Sequence, residues 1–362
     1  MKKLNNLSDL KVLVIGSSSG NAGSMDRYSS LLIRSYKEIG VSVQVARPTN
    51  LMSRYMPLGT LRKYTKYIES LILFPLYLTF KSIGKVVHFA DHSDTLLMPW
   101  TVLSTRKVAT CHDLIAVRAA LGEIPEYRPK VLGTLYQKLV LRGLSKADSV
   151  AAVSEATAED VARLVPKASS YILLNPLDID LAVPIKTAHV GSPYFLIVSH
   201  SSWRKGRDDS IGVWVQLREL EEFRKSKLIL VGTPLTAAEN LELADVPADQ
   251  IEVRNAIKDS ELSGLYAGCV ALIQMSRYEG FGWPVIEVNA QDRPAICSDI
   301  KVFHEIGEHN VFVSDKKPFG QIVAELERFP GVTVGIGVRE KFSERNFRNQ
   351  LLDLLLKTVN QR

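Results

Sequence analysis

The chain has 362 residues, 46% of them hydrophobic and 23% charged, with 45 Lys and Arg against 39 Asp and Glu. This composition excludes a disordered or fibrous chain, and the length exceeds one typical core, so two domains of about 150 to 190 residues are expected. The net charge of +6 suits an anionic ligand or an anionic membrane surface, or reflects only solubility. No dense Lys/Arg tract interleaves with aromatics, which speaks against a nucleic-acid partner.

The start, Met1-Lys2-Lys3-Leu4, lacks the apolar stretch of a signal peptide. The longest apolar segment, Leu71 to Leu78, is far shorter than the ~20 residues of a spanning helix. Cys111, Cys269 and Cys297 lie far apart inside or beside apolar runs and read as small buried hydrophobes. A cytoplasmic protein is expected.

Short β-branched runs recur along the chain, each followed by a loop and a helix-like stretch. In the first half they fall at 12–15, 41–45, 86–89, 107–111, 150–153 and 171–174. In the second half they fall at 194–198, 228–231, 251–253, 270–273, 294–297 and 311–313. Continuous apolar runs of this kind fit strands covered on both faces, as in parallel sheets, and alternation with helices implies βαβ units. The fold class expected is α/β, with two doubly wound domains. The divisions fall at 1–185 and 186–340, with a last helix, 341–362, returning to the first domain. Pro184 and the Gly191-Ser192-Pro193 turn mark the seam. Parallel sheets bind ligands beyond the carboxyl ends of their strands, so two facing domains would bracket a cleft.

In chain order, the loop Gly16 to Gly23, with Gly20 inside it, follows the first strand but does not fit Gly-x-Gly-x-x-Gly. Segment 61–81 mixes Arg62, Lys63, Lys66 and Lys81 with a broad apolar face; it reads as a core-facing helix interrupted by Pro75, or as a helix resting on anionic lipid. His88 and His92 lie near one strand end, and His112-Asp113 follow the strand ending at Cys111. Imidazole donates or accepts a hydrogen bond near neutrality, so His112 suits a sugar hydroxyl or an acceptor proton, though a lone histidine is usually structural. Ser154 reads as a helix cap. Asp178-Ile179-Asp180 has the letters of a metal motif but sits at the seam and is read as structural, so no metal site is expected.

In the second half, Ser199 to Arg207 follows a strand and carries Arg204, Lys205 and Arg207, either a solvated basic turn or an anion site. Asn255-Ala256-Ile257 follows another strand. The most informative stretch runs from Ser276 through Glu279-Gly280-Phe281-Gly282-Trp283-Pro284 to Glu287. Pro284 fits the opening of a helix, and Gly280 and Gly282 let backbone N–H groups approach a ligand. A glycine turn feeding a helix N-terminus binds anions. Glu279 and Glu287 then flank a bound phosphate and accept hydrogen bonds from sugar or ribose hydroxyls. The plainer alternative is a surface turn in which Glu287 only complements the helix dipole.

Glu279 through Glu287, with Gly-Phe-Gly and Pro inside, resembles the signature of glycosyltransferase family 4, retaining enzymes of GT-B fold. Arg293-Pro294-Ala295-Ile296-Cys297-Ser298 and Glu305-Ile306-Gly307 continue the resemblance, although Asp292-Arg293 stands where the family has a small or glycine residue. Arg204-Lys205-Gly206 resembles the family loop whose cations hold the donor diphosphate, with Arg207 a lesser candidate. The resemblance implies ribose contact by Glu287, sugar contact by Glu279, backbone contacts by Gly280, Phe281, Gly282 and Pro284, and base reading at Ile257. It also implies that Gly20 and Gly23 lie near the donor phosphate, and that His112 approaches the transferred sugar.

The implied reaction is hexosyl transfer from a nucleoside-diphosphate sugar, GDP-mannose favoured and a UDP-sugar second. The implied acceptor is a saccharide or lipid-linked saccharide of polysaccharide or glycoconjugate synthesis. The resemblance implies retention, no metal, and no cofactor beyond the donor co-substrate. A peripheral contact with the inner face of the cytoplasmic membrane belongs to the same expectation. The rivals are a catalytically degenerate nucleotide-sugar-binding subunit and a sugar-nucleotide epimerase; the pyridoxal lysine of a phosphorylase is not recognisable.

Overall fold

The computed structural model describes residues 7–16, 24–48, 65, 68–177, 192–314, 319–326 and 335–361. It divides into two compact units, Met1–Leu174 with Phe347–Arg362, and Asn175–Asn346. The sequence reading had placed divisions at 185/186 and 340/341. The earlier first boundary has a local cause: Leu177 N–H donates to Phe342 O at 2.7 Å, tying this stretch to the second unit.

The first unit holds six parallel strands: β1 (Lys11–Ile15), β2 (Ser42–Ala46), β3 (Val86–Phe89), β4 (Arg106–Cys111), β5 (Ser149–Ala152) and β6 (Ser169–Ile172). Their spatial order is β2-β1-β3-β4-β5-β6. The chain leaves β1 toward one edge and resumes at β3 on the other side, so the switch point lies between β1 and β3. Alternation within β1 shows why the run is apolar throughout. Leu13 and Ile15 enter one core cluster with Leu78, Leu144 and Val161, whereas Val12 and Val14 enter another with Leu32 and Tyr36. The helices supplying these faces are α1 (Ser24–Glu38), α2 (Phe74–Lys81), α3 (Ile115–Ala120), α4 (Val131–Leu144) and α5 (Glu155–Leu164).

Pro75 does not interrupt its helix. A π-helical turn, Glu69–Leu73, precedes α2, and Phe74 N–H bonds back to Glu69 O, so the wider turn absorbs the proline. Phe74 and Leu78 then reach the core.

The second unit repeats the pattern with β7 (Tyr194–Ser199), β8 (Lys227–Gly232), β9 (Ile251–Arg254), β10 (Leu272–Gln274), β11 (Ala295–Ser298) and β12 (Asn310–Val313). These strands are parallel, in the order β12-β11-β10-β7-β8-β9. The switch point falls between β7 and β10. The helices used below are α6 (Arg207–Leu217), α7 (Ala237–Glu242), α8 (Asp259–Gly268), α9 (Trp283–Ala290), α10 (Lys301–Ile306), α11 (Phe319–Leu326), α12 (Gly335–Lys341) and α13 (Glu344–Asn360). Phe347, Leu351, Leu354 and Leu355 of α13 lie in the first unit's core. Two Rossmann-like sheets in one chain are the GT-B class expected from the sequence.

Asp292, which departs from the family pattern, takes a left-handed φ of 57° after α9, and its Oδ1 accepts from Gly335 N–H at 2.7 Å. A glycine is easiest at such a φ, and aspartate is among the side chains that tolerate it.

Among the helical glycines, close packing constrains Gly143 most. A Cβ on Gly143 of α4 would stand 2.0 Å from the backbone oxygen of Thr95, whereas one on Gly133 of the same helix would meet only Pro129 Cβ at 3.4 Å. Gly143→Ala should lower stability by about 1–3 kcal/mol through overpacking. Gly133→Ala should be neutral or stabilising by up to ~1 kcal/mol. Urea midpoints of the two variants check this, and equal midpoints would be the contrary result.

Candidate functional site

The two loops at the β7–β10 switch point form one structure. Arg277 N–H and Tyr278 N–H both donate to Arg204 O, at 2.9 and 3.3 Å. Arg277 adds a guanidinium bond to Trp203 O at 2.7 Å and pairs with Asp208 and Asp209 at 2.9 and 2.6 Å. Gly206 makes the close approach possible: its φ is 52°, and a Cβ there would fall 1.9 Å from Met275 O. Ser210 Oγ donates to Gly206 O and accepts from Met275 N–H.

Within this frame three of the expected site residues meet. Glu279, only 4% exposed, accepts from Lys205 Nζ at 2.5 Å and from the Arg204 guanidinium at 3.3 Å. Ser276 Oγ donates to the same carboxylate at 2.9 Å. The two cations expected to hold an anionic donor are thus paired with the carboxylate expected to contact a sugar. Arg204 and Lys205 keep side-chain exposures of 36% and 21%, so an anion from solvent can reach them.

The glycine turn caps α9. Gly282 is the N-cap with φ 98°, and Trp283 and Pro284 are the first two helical residues, one place later for the proline than the sequence suggested. A Cβ on Gly282 would meet the Phe303 ring at 2.7 Å, so this glycine is required by packing as well as by backbone conformation. Phe281 is buried, edge-on to the rings of Trp283 and Phe342 at 5.3 and 5.8 Å. Its side chain belongs to the core, leaving only its backbone for a ligand. Gly280 is buried in the same turn.

Glu287 lies one turn into α9 and is 9% exposed; its Oε2 accepts from Tyr266 Oη of α8 at 2.7 Å. Burial and the Glu287 carboxylate together hold the Tyr266 phenol protonated, well above its ordinary range. Tyr266 therefore acts as a fixed donor that sets the carboxylate's orientation.

Arg207 requires a correction. It is 1% exposed and bonds Glu239 through Nε and an η-nitrogen at 2.6 and 2.5 Å. Its remaining donors go to Thr233 O, Thr233 Oγ1 and Pro234 O, at 2.8, 2.9 and 3.0 Å. All five guanidinium N–H groups are used, so none remains for a diphosphate. The buried pair instead ties the start of α6 to the cap of α7, where Thr236 and Glu239 form a capping box.

Ile257 is half-buried after β9, beside Ala256 with a left-handed φ of 51°. β8 separates it from the switch point. Gly20, Gly23, Asp178 and Asp180 lie outside the described residues. Among the described residues, Cys111, Cys269 and Cys297 are free and buried.

The first unit has its own polar cluster at the carboxyl ends of β3 and β4. His112 is half-buried; its Nε2 donates to Ala90 O at 3.0 Å, which leaves Nδ1 as the lone-pair nitrogen of the neutral ring. Burial lowers its pKa below the usual histidine value, against the pull of nearby Asp91. Asp113 does not orient it: Asp113 Oδ1 accepts from Ile115 N–H and starts α3. His88 is fully buried, between Tyr36 Oη at 2.7 Å and Thr110 Oγ1 at 2.9 Å, and burial pushes its pKa down to about 3. It is structural. His92 faces Asp91 at 3.2 Å; burial opposes its protonation, but the carboxylates of Asp91, Asp113 and Asp94 outweigh it. Asp94, desolvated and beside Asp91, is pushed up to about 7. Ser154 caps α5, as read.

Residues 180–329 match the family model described as glycosyl transferases group 1. The matched stretch lies within the second unit. Over 198 residues, 48% of this chain, the sequence is 30% identical to the serotype-specific mannosyltransferase WbdA of Escherichia coli. The match spans about a quarter of that longer protein, 24% of its length. The fold of the chain is that of the sucrose-phosphate synthase of Thermosynechococcus elongatus, with a TM-score of 0.69, 16% identity, and coverage of 96% of this chain and 98% of that one. Anabaena HepE, solved in complex with UDP and glucose, gives 0.66 at 14% identity, covering 96% of this chain and all of its own.

Sequence reasoning missed the holding residues: Ser276, Arg277, the Arg207–Glu239 pair, and Asp91 with Asp94. The usable signal was weak. Arg277 sits two residues before Glu279, and Asp208-Asp209 open α6, but nothing in one dimension pairs them.

The paired charges make two measurable claims. Glu279→Gln removes one negative charge about 4 Å from an incoming phosphate, about 1 kcal/mol in a wet site. Pyrophosphate should then bind roughly fivefold more tightly by calorimetry; unchanged or weaker binding would count against the shared use of these cations. Arg207→Met should cost about 3–5 kcal/mol, because Glu239 is left buried and unpaired. Arg204→Ala, at an exposed site, should leave the urea midpoint nearly unchanged.

Proposed function

We propose that this chain transfers a hexose from a nucleoside-diphosphate sugar to a saccharide or lipid-linked saccharide acceptor, with retention of configuration and without a metal. The observation that carries the reading is the meeting of Arg204, Lys205 and Glu279 at the carboxyl ends of β7 and β10, beside the N-terminus of α9. As the anomeric C–O bond breaks, negative charge passes to the departing diphosphate. Fixed cations and backbone N–H groups stabilise that charge more than they stabilise the intact donor.

On this reading the diphosphate displaces Glu279 from Arg204 and Lys205, and the released carboxylate takes up sugar hydroxyls. Glu287, oriented by Tyr266, accepts from the ribose hydroxyls. Mannose and GDP are favoured because WbdA is a mannosyltransferase; UDP is the alternative, since HepE was solved with UDP. Retention follows from the family resemblance. On the acceptor side, the neutral His112 ring offers Nδ1 to a sugar or acceptor hydroxyl, and the lipid-linked class of acceptor would bring the protein to the cytoplasmic membrane surface.

A thermal-shift series with GDP, UDP and ADP, followed by mannose transfer from GDP-mannose with and without EDTA, tests the proposal. GDP should raise the melting temperature most, and transfer should survive EDTA. Stabilisation without transfer to any saccharide acceptor would favour the binding-subunit reading instead. Tyr266→Phe should weaken nucleotide binding by about 1–3 kcal/mol, because a buried carboxylate loses its donor.

The pH dependence has a definite sign. The His112 pKa lies below 6.5, so the ring is neutral at pH 7 and gains a proton only on the acid side. kcat/KM should hold through the neutral range and fall only on the acid side of the usual histidine value. His112→Gln should flatten that limb, and a limb unchanged in the variant would remove His112 from the reaction.

A further inference from the structure

We propose that the outward face of α4 docks on an anionic phospholipid bilayer. Val131, Leu132, Leu135, Tyr136 and Leu139 recur on one side of the helix and are all exposed, Val131 and Leu132 at 85% and 81%. Val140, Gly143 and Leu144, in the last turns of the helix, are buried against the core. An apolar row of this kind is a liability on a solvated surface and calls for a partner.

Charge says which partner. Between residues 127 and 146 the chain carries Arg128, Lys130, Lys138, Arg142 and Lys146 and no Asp or Glu. All five cations are exposed, and none forms an ion pair among the described residues. Lys138 and Arg142 stand one turn apart along the edge of the apolar row. Exposed apolar side chains whose own helix carries only cations match the apolar interior and negative headgroups of an anionic leaflet, although Asp91 and Asp94 lie near Tyr136 at one margin of the row. A protein partner recognised through the apolar row alone would not require the uniform sign.

The helix is also fixed to the polar end of its own sheet. Tyr136 Oη donates to Ser93 O at 3.1 Å, Thr95 Oγ1 donates to Val140 O at 2.9 Å, and Gly143 packs on the Thr95 backbone. Ser93 to Thr95 belong to the turn that carries Asp91, His92 and Asp94. A bilayer under α4 therefore brings that turn to the lipid surface. Resting on the assignment of the acceptor to the first unit, this places a lipid-linked rather than a free saccharide there. The segment singled out in the sequence, 61–81, is described only in part. Its described residues include exposed Ile72, Leu76 and Phe80 on the stretch leading into α2 and along it, and these are not needed for the proposal.

The full chain is floated with vesicles of phosphatidylcholine alone or mixed with phosphatidylglycerol, without donor, alongside transfer assays to a soluble saccharide. It should float only with the anionic vesicles, and less at high salt. Lys138→Glu/Arg142→Glu should weaken binding by at least roughly thirtyfold, the loss of two cations. Leu132→Ser/Leu135→Ser should abolish it, with melting temperature and soluble-acceptor transfer unchanged in both variants. Equal binding to neutral vesicles, or wild-type binding by either variant, overturns the proposal. So does absence of lipid binding together with a dimer, seen by light scattering, that Leu132→Ser/Leu135→Ser converts to monomer. Failure of transfer with intact vesicle binding would instead overturn the enzymatic reading and leave the surface standing.

Discussion

The second unit depends on one buried carboxylate. Glu279 is enclosed with two cations and a serine hydroxyl, and both loops that carry these groups are fixed by backbone bonds to Arg204 O. A carboxylate taken this far out of water is tolerable only when paired and hydrogen-bonded. The pairing also solves a problem for the cations. Arg204 and Lys205, adjacent and converging on one point, would repel one another without a negative group between them. Glu279 partly neutralises the cluster, and on the proposed reading a diphosphate offers the cations more negative charge than Glu279 does, so that exchange of one anion for the other keeps the site compensated.

The strand order fixes where this happens. Between β7 and β10 the connections depart in opposite directions, so no crossover helix covers the carboxyl ends. Two loops can approach there, and Gly206 permits an approach that any Cβ would block. Behind them, Arg207 and Glu239 hold the start of α6 against the turn after β8, and Tyr266 braces Glu287 from α8. The residues that face a ligand are few; those that aim them come from four different elements.

Central strands such as β1 and β3 were legible because they are buried on both faces, whereas the edge strands β2, β6 and β9 are half-exposed and carry polar residues, so only their β-branched positions and spacing marked them. The glycine turn and the basic loop were legible because their chemistry lies in contiguous residues. Arg207 was misread for the same reason: it is contiguous with Arg204 and Lys205, yet it opens a helix and lies on its buried side with Ser210, while Asp208 and Asp209 face outward. Its partner Glu239 lies 32 residues away. Phe281 was expected to offer its backbone, and its ring packs on Phe342, a contact its place inside the motif does not reveal. Long-range pairing decides which side of a loop a residue faces, and a single sequence does not carry it.

The three histidines near the ends of β3 and β4 show how finely that decision falls. His88 is still within β3, so its side chain is perpendicular to the sheet and enters the core, where Tyr36 and Thr110 satisfy both ring nitrogens. His92 is past the strand, in a turn crowded with carboxylates, and the same desolvation that neutralises His88 is outweighed there by negative charge. His112 is the first residue after β4. It is buried enough to stay neutral, and among the described residues its ring makes one hydrogen bond, to a carbonyl that fixes its tautomer. A position inside the strand yields structure, and one well past it yields a charged pair. Only the residue at the boundary combines a defined orientation with a nitrogen available for chemistry.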